Sequence, residues 1–357
     1  MDIKQIVSAF DISSPILRIR ECLSGHVNRT FIIDSPDAHY IVQRMNSVAF
    51  KKPGEVMSNI VRVTDHIRQK LEKAGKDTQN SVLQFIKSGD NYFYVDEKGN
   101  YWRAWRFIEG NCLDTCDDPV LFYHAGRAFG EFAKQLEDFD AATLFEPIPD
   151  FHNTVKRYEA LEAAIQRDAF GRVAECAEEI AFIRERKEAC SFIVKGLEDG
   201  TIPLRVTHND TKLNNVILDK KTGKGLCVID LDTVMPGSLL CDFGDAVRYG
   251  ASSAAEDEED LSKVFLRTDM FEAYTEGFLK GLNGHITREE LLALPESARI
   301  ITLELAMRFL TDYLEGDVYF RTHRERHNLA RAKNQLALVR DIERQYDTLC
   351  DIVKKHL

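Results

Sequence analysis

Between residues 15 and 108, apolar and polar positions alternate in short runs: "PILRIREC", "RTFIID", "HYIVQRM", "NYFYV" and "YWRAWRFI". A period of two marks strands with one buried face, so these runs predict a small sheet. One longer segment, roughly Gly54 to Lys73, interrupts them and predicts a helix. From residue 118 the period becomes helical. "PVLFYHAGRAFGEFAKQL" and the segments near 155–165, 176–197, 259–281, 296–315 and 327–354 read as helices. Only "VILD" and "GLCVID" read as strands there, joined by "KKTGKG", a turn with two glycines. The expected architecture is α+β and bilobal, with a small β-rich N-lobe over residues 1–109 and a larger, mainly helical C-lobe over 110–357. The chain has no internal repeat and no low-complexity linker.

A length of 357 residues agrees with two lobes, since single cores stop growing near ~250–300 residues. Apolar residues make up 44% and charged residues 29%, an ordinary soluble composition. The formal charge of −11 argues against a nucleic-acid or anionic-membrane surface, because both select basic patches. A local basic cleft for a small anion stays compatible with it. "MDIKQIVSAF" lacks the apolar run of a signal peptide, and no segment reaches the ~18 apolar residues of a membrane span. The eight cysteines include no C-x-x-C pair and several sit in apolar contexts, so they read as reduced packing residues of a cytoplasmic protein. The acidic run from Glu256 to Asp260 reads as a solvated helix start. The oligomeric state is not legible.

Chemistry concentrates in "VTHNDTKLNNVILD", residues 206–219, where His208, Asp210, Lys212, Asn214 and Asn215 stand between apolar runs. A polar hairpin loop would account for any one of them. The full spacing H-x-D-x-K-x-x-N, followed by a hairpin that ends in "VIDLD", suits phosphoryl transfer better. That chemistry needs a base for the acceptor hydroxyl, cations for the phosphate charge and oxygen ligands for Mg²⁺. Asp210 is the expected base and Lys212 the cation reaching the γ-phosphate. Asn215 and Asp230 are the expected Mg²⁺ ligands, brought together by the hairpin.

These segments resemble the catalytic and metal-binding loops of the aminoglycoside phosphotransferase and choline kinase superfamily, small-molecule relatives of protein kinases. More narrowly, "LRVTHNDTKLNN", "VIDLDTVMPGSLLCDFGDAVRYGAS", "AYTEGF" and "MRFLTDYLEGDVYF", with "GHVNRT" and "YIVQRMN" near the N-terminus, resemble the bacterial N-acetylhexosamine 1-kinases. The resemblance runs over both lobes in the same order. It implies a protein-kinase-like fold, ATP and Mg²⁺, and transfer to the anomeric hydroxyl of GlcNAc or GalNAc. It makes Asp210 the catalytic aspartate, Asn215 and Asp230 the metal ligands, and His208 a buttress of the loop rather than a base. Asp232 is then a residue behind the metal, and Asp242 of "CDFGD" caps a helix or braces the loop.

Two departures stand out. Asn209 occupies a position where many relatives have glycine. The third strand offers Arg44 where protein kinases place a phosphate-binding lysine, and its alternative is a surface arginine on a strand edge. Gly25 in "SGHVNRTF" is the one glycine of the nucleotide-covering loop, which Ser24, His26 and Asn28 would supplement. The connector "RFIEGNC" would carry adenine on the backbone of Phe107, Ile108 and Glu109. For the sugar, Arg308 in the apolar "AMRFL", Tyr319, Tyr249 and His26 are the candidates; the alternatives are a salt-bridged core arginine and packed tyrosines. "HRERH" at 323–327 lacks the glutamate of a zinc helix and reads as a solvated helix face. Kinases for choline, homoserine, methylthioribose or an aminoglycoside, and a nucleotide-binding pseudokinase, remain the other readings.

Overall fold

The computed structural model describes residues 3–22 and 28–357. The N-lobe runs α1 (Ile3–Ser8), β1 (Arg18–Cys22), β2 (Arg29–Asp34), β3 (His39–Arg44), α2 (Pro53–Lys73), β4 (Phe85–Ile86), β5 (Tyr94–Val95) and β6 (Tyr101–Arg106). The strands form one antiparallel sheet in the order β1-β2-β3-β6-β4, with β5 also on β6. Its pleat divides the side chains as the alternation requires. Phe31, Ile33, Val42, Trp102 and Ala104 pack against Ile6, Val7 and Phe10 around α1. Long α2 begins with a proline, whose missing N–H costs nothing there. It buries Val56, Met57, Ile60, Val63, Ile67 and Leu71 in the core shared with the C-lobe.

The C-lobe continues with α3 (Pro119–Gln135), α4 (Thr154–Arg167), α5 (Ala177–Glu185), α6 (Phe192–Asp199), β7 (Arg205–Thr207), β8 (Val216–Leu218), β9 (Gly225–Val228), β10 (Met235–Gly237), α7 (Leu239–Gly250), α8 (Thr268–Leu282), α9 (Arg288–Leu292), α10 (Leu294–Leu314), α11 (His327–Arg344) and α12 (Tyr346–Lys354). Helix α10 is buried around most of its circumference, as a central helix must be. Helices α3 and α8 approach closely through Gly126 and Gly130 on one and Gly277 and Gly281 on the other. A Cβ at Gly277 would lie 2.1 Å from the Tyr123 carbonyl oxygen.

The α+β, bilobal, protein-kinase-like architecture is therefore the one that the periodicity and the resemblance predict. Its details differ. The stretch 176–197 divides into α5 and α6, the last helix breaks at Gln345, and α8 begins only at Thr268. Helix α7 and the short pair β7–β10 are additional. The acidic run Glu256–Asp260 starts only a single 3-10 turn, Leu261–Lys263, which Asp260 caps by accepting the Ser262 N–H, and it is not simply solvated. Glu256 pairs with buried Arg248 at 2.6 Å, and Asp257 pairs with Arg324 at 3.0 Å. Nor is "HRERH" an open helix face, since His327 is buried at the start of α11 and meets Asp257 at 3.0 Å. None of the cysteines forms a disulfide among the described residues.

The α3–α8 contact gives a stability test. Gly277→Ala sets a methyl against backbone that cannot yield, so it should cost about 1–3 kcal/mol. A thermal melt followed by circular dichroism should show the fall in Tm.

Candidate active site

Strand β7 delivers the chain to His208, which is fully buried. The edges of Phe129 and Phe132 face its ring at centroid distances of 5.5 and 6.0 Å. Its Nε2 lies 2.8 Å from the Ile229 carbonyl, while its Nδ1 accepts from the Asp210 N–H at 3.2 Å. One nitrogen donates and the other accepts, which is the pattern of a neutral imidazole. His208 thus joins the loop to the end of β9 and has no free nitrogen to serve as a base. Beside it, Asn209 has φ of +64°, a left-handed conformation open to glycine and tolerated by asparagine. That geometry explains why asparagine can replace glycine here.

The buried Asp242 carboxylate, in the first turn of α7, accepts from the backbone N–H groups of His208 at 2.9 Å and Asn209 at 2.7 Å. Burial pushes its pKa up, opposed by those two amides. The D-F-G of α7 therefore braces the catalytic loop. Beyond the brace, Asp210 meets the Lys212 ammonium at 2.8 Å. Asp210, followed by desolvation working the other way, leaves Lys212 with its proton held more firmly than usual. Asn215 donates Nδ2 to the Asp210 carbonyl at 2.8 Å and to its carboxylate at 3.1 Å. The amide oxygen of Asn215 is left without a donor among the described residues.

The hairpin β8–β9 then does what the spacing predicts. Val216 pairs with Val228, and the Ile229 N–H donates to the Asn215 carbonyl at 2.9 Å. Asp230 follows at once with φ of +58°. It borders open solvent, yet enough protein surrounds it that burial, then Asp232 and Asp210, push its pKa up to about 6. Arg103 opposes the rise. A crowded carboxylate beside a free amide oxygen is a donor set fit for a hard divalent cation. No group of three or more His, Cys, Asp or Glu among the described residues is placed to hold a metal. Mg²⁺ sites commonly use only one or two protein ligands and complete their shell with water and phosphate.

The N-lobe contributes a cation that the sequence reading overlooked. Arg103 on β6 lies opposite Gln43 on β3 and donates to its Oε1 from Nε at 2.9 Å and from Nη2 at 2.6 Å. The same guanidinium forms a buried ion pair with Asp232, whose other oxygen accepts from Asn28 Nδ2 at 2.9 Å. Strand alternation puts Arg44 on the opposite face, where it is exposed. A charge between the buried Trp102 and Ala104, where the strand's other charge, Arg106, stands at its end, was the available signal for Arg103. In the connector, the Phe107 N–H donates to the His39 carbonyl at 2.9 Å, and the backbone groups of Ile108 and Glu109 enter no backbone bond among the described residues. Asn111 and Leu218 exchange two bonds of 2.8 Å, strapping the connector to β8. Gly25 and His26 lie outside the described residues.

Arg308 projects from α10 into a cavity of about 200 Å³ lined by Arg157, Thr311, Asp312, Glu315, Tyr319 and Phe320. Its guanidinium lies 5.1 Å from the Phe151 ring centre, 5.5 Å from Phe320 and 5.9 Å from Tyr319. It has no carboxylate or hydrogen-bond partner among the described residues, so it is not a salt-bridged core arginine. Tyr319 is exposed and Tyr249 half-buried. Tyr249 does not line this cavity; burial raises its pKa, and Lys212 is the nearest opposing influence. Asp312 shapes the cavity's lip by accepting the N–H groups of Val318, Tyr319 and Phe320 at 2.9, 2.7 and 2.9 Å.

A base-sized carboxylate paired to lysine, a carboxylate–amide pair and a buried arginine thus converge between two lobes. The profile of the phosphotransferase enzyme family matches residues 18–274. The chain belongs to that family. Solved structures agree on the fold. A microcompartment-associated aminopropanol kinase is 16% identical with a TM-score of 0.63, covering 98% of each chain. The ethanolamine kinase of Plasmodium vivax is 11% identical with a TM-score of 0.56, covering 94% of this chain and 84% of its own. An ADP-bound aminoglycoside phosphotransferase is 15% identical with a TM-score of 0.51, covering 92% and 95%.

Asp210→Asn keeps the shape of the side chain but removes its proton affinity. In steady-state assays kcat should fall by about 10²–10⁴-fold, with Tm close to wild type. A variant that keeps half of its turnover would exclude Asp210 as the base.

Proposed function

We propose that this phosphotransferase is an ATP- and Mg²⁺-dependent kinase that phosphorylates the C1 hydroxyl of N-acetylhexosamines, GlcNAc or GalNAc. The observation that carries the acceptor class is Arg308, a guanidinium ringed by aromatic faces with no anion of its own. Such a group wants an acceptor bearing a carbonyl or several hydroxyls, and it repels a protonated amine. Aminopropanol and ethanolamine, the substrates in two of the relatives' names, are cationic at neutral pH. An N-acetylated sugar is neutral, offers an amide oxygen, and presents a ring that aromatic side chains can cover.

In this reading Asp210 accepts the proton of the C1 hydroxyl. The hydroxyl oxygen bonds to the γ-phosphorus as the bond to the β–γ bridging oxygen breaks, and ADP leaves. Lys212 offsets charge on the transferring group. Asn215 and Asp230 would hold Mg²⁺, which supplies positive charge to the phosphate oxygens. Arg103, Gly25 and the backbone of Phe107, Ile108 and Glu109 are the nucleotide-side candidates, and His26, Tyr249 and Tyr319 join Arg308 on the sugar side. An intact Asp210, Asn215 and Asp230 disfavour a pseudokinase. Free thiols fit a reducing, cytoplasmic setting. No helix among the described residues is long and apolar enough to cross a membrane. Small molecules are the only partners this reading requires.

An ADP-release screen over N-acetylhexosamines, plain hexoses and amino alcohols tests the acceptor class. A free reducing N-acetylhexosamine should turn over and its methyl glycoside should not; phosphorus NMR should report a 1-phosphate. Arg308→Ala should raise KM for the sugar by about 10–100-fold, the worth of a charged hydrogen bond, and leave KM for ATP nearly unchanged. Preferred turnover of an amino alcohol, or a 6-phosphate product, would overturn the assignment.

The metal ligands are tested separately. Asp230→Ala should raise the Mg²⁺ concentration needed for half-maximal activity more than Asn215→Ala does, because it removes a charged oxygen. Unchanged Mg²⁺ dependence in both variants would remove them from the metal site.

A further inference from the structure

The loop that carries Asp210 is held on its far side by a buried pair outside every motif named above. His152 and Glu304 are separated by 152 positions and meet at 2.8 Å between Nδ1 and Oε1, with the Glu304 side chain fully buried. The other ring nitrogen, Nε2, lies 3.2 Å from the Asn209 carbonyl oxygen. Thr154 donates its hydroxyl to the second Glu304 oxygen at 2.6 Å. A carboxylate and a carbonyl are both pure acceptors, so only a ring with a proton on each nitrogen satisfies the two together. We propose that His152 is a charged positioning residue, an imidazolium that fixes the Asn209–Asp210 peptide and thereby aims the Asp210 carboxylate.

The peptide unit between Asn209 and Asp210 is then held by a histidine at each end. Its N–H goes to neutral His208 and its carbonyl receives the proton of charged His152. Such a grip matters because Asn209 is in the left-handed region, where a non-glycine residue stays only if its surroundings insist. Buried ion pairs are poor stabilisers, since desolvation consumes most of their attraction. A role in geometry accounts for retaining one here. The groups facing the ring support its charge. Burial works against it, but Glu304 on α10 and Asp245 on α7 outweigh burial and the repulsion of Arg308, and hold the pKa above the ordinary histidine value. Phe151, the neighbour of His152, faces Arg308, so the same segment touches both the acceptor cavity and the catalytic loop.

The inference rests on Asp210 as the base, and its closing experiment separates the two. Nitrogen-15 NMR of the His152 ring needs no substrate and should show both nitrogens protonated at neutral pH, identified by the signal lost in His152→Gln. Glu304→Gln can accept from Thr154 and donate to Nδ1, leaving a neutral ring that still donates to Asn209. It should show one ring proton and keep kcat within about threefold of wild type near neutrality. The raised pKa means that the charge is present below it and is lost as pH rises through it. Wild-type kcat should therefore decline on an alkaline limb above the ordinary histidine range, and that limb should be absent in Glu304→Gln. His152→Ala should lower kcat on the order of 10²-fold, the scale of a small misplacement, with little change in nucleotide KM. If that variant does not fold, the wild-type spectrum and Glu304→Gln decide alone. A neutral His152 in the wild type, a Glu304→Gln profile with the wild-type limb, or a folded His152→Ala with full kcat would overturn the proposal. Loss of the Asp210 role with a charged His152 would leave the ring's state standing and remove only its purpose.

Discussion

One buried carboxylate carries the catalytic loop. Asp242 takes the N–H groups of His208 and Asn209, and without it two backbone donors would be buried unpaired, at a cost of about 1–3 kcal/mol each. With it, the loop can bend through the left-handed Asn209 and present Asp210 beside Lys212 and Asn215. Thr211 adds a second tie by donating its hydroxyl to the Asp242 carbonyl at 2.5 Å. Helix α7 therefore acts less as a packing element than as the anvil on which the loop is shaped.

From that loop the charge arrangement spreads to both lobes. Asp230 and Asp232 leave the hairpin in different directions and with different partners. Asp230 is short of positive charge, which suits a metal ligand. Asp232 is already bound by Arg103 and Asn28 from the N-lobe sheet. Because that pair is buried, separating the lobes would expose or strand two charges, so the pair favours a closed cleft. Asn59 of α2 reinforces the joint by donating to the Val234 and Phe145 carbonyls at 2.9 and 2.8 Å.

The acceptor side is built with the same economy of parts. Asp312 collects three successive amides of the lip that holds Tyr319 and Phe320, and Asn328 Nδ2 adds a fourth donor at 2.7 Å. One turn before Asp312 on α10 stands Arg308, and about two turns before it Glu304 anchors His152. A single central helix thus sets the Arg308 cavity, its lip and the far support of the loop that carries Asp210.

The sequence by itself determined the two textures of the chain, because strand and helix periods are local properties of a few residues. It also determined the motif, since H-x-D-x-K-x-x-N and the "ID" at the end of a short hairpin lie within one segment that can fold in only a few ways. His208 as a buttress and Asp242 as a brace were legible for that reason. What only the tertiary structure decided lies where distant segments meet. Arg103 and not Arg44 stands on the cleft face, because the pleat assigns faces only after the register is known. His152 meets Glu304, and Arg308 is left without an anion, because helices far apart in sequence pack around one core. The acidic run at Glu256 turned inward for the same reason, drawn to an arginine whose burial no local pattern announces. Periodicity tells which face of an element is buried; which charges come together across the core depends on long-range packing that no short window of sequence contains.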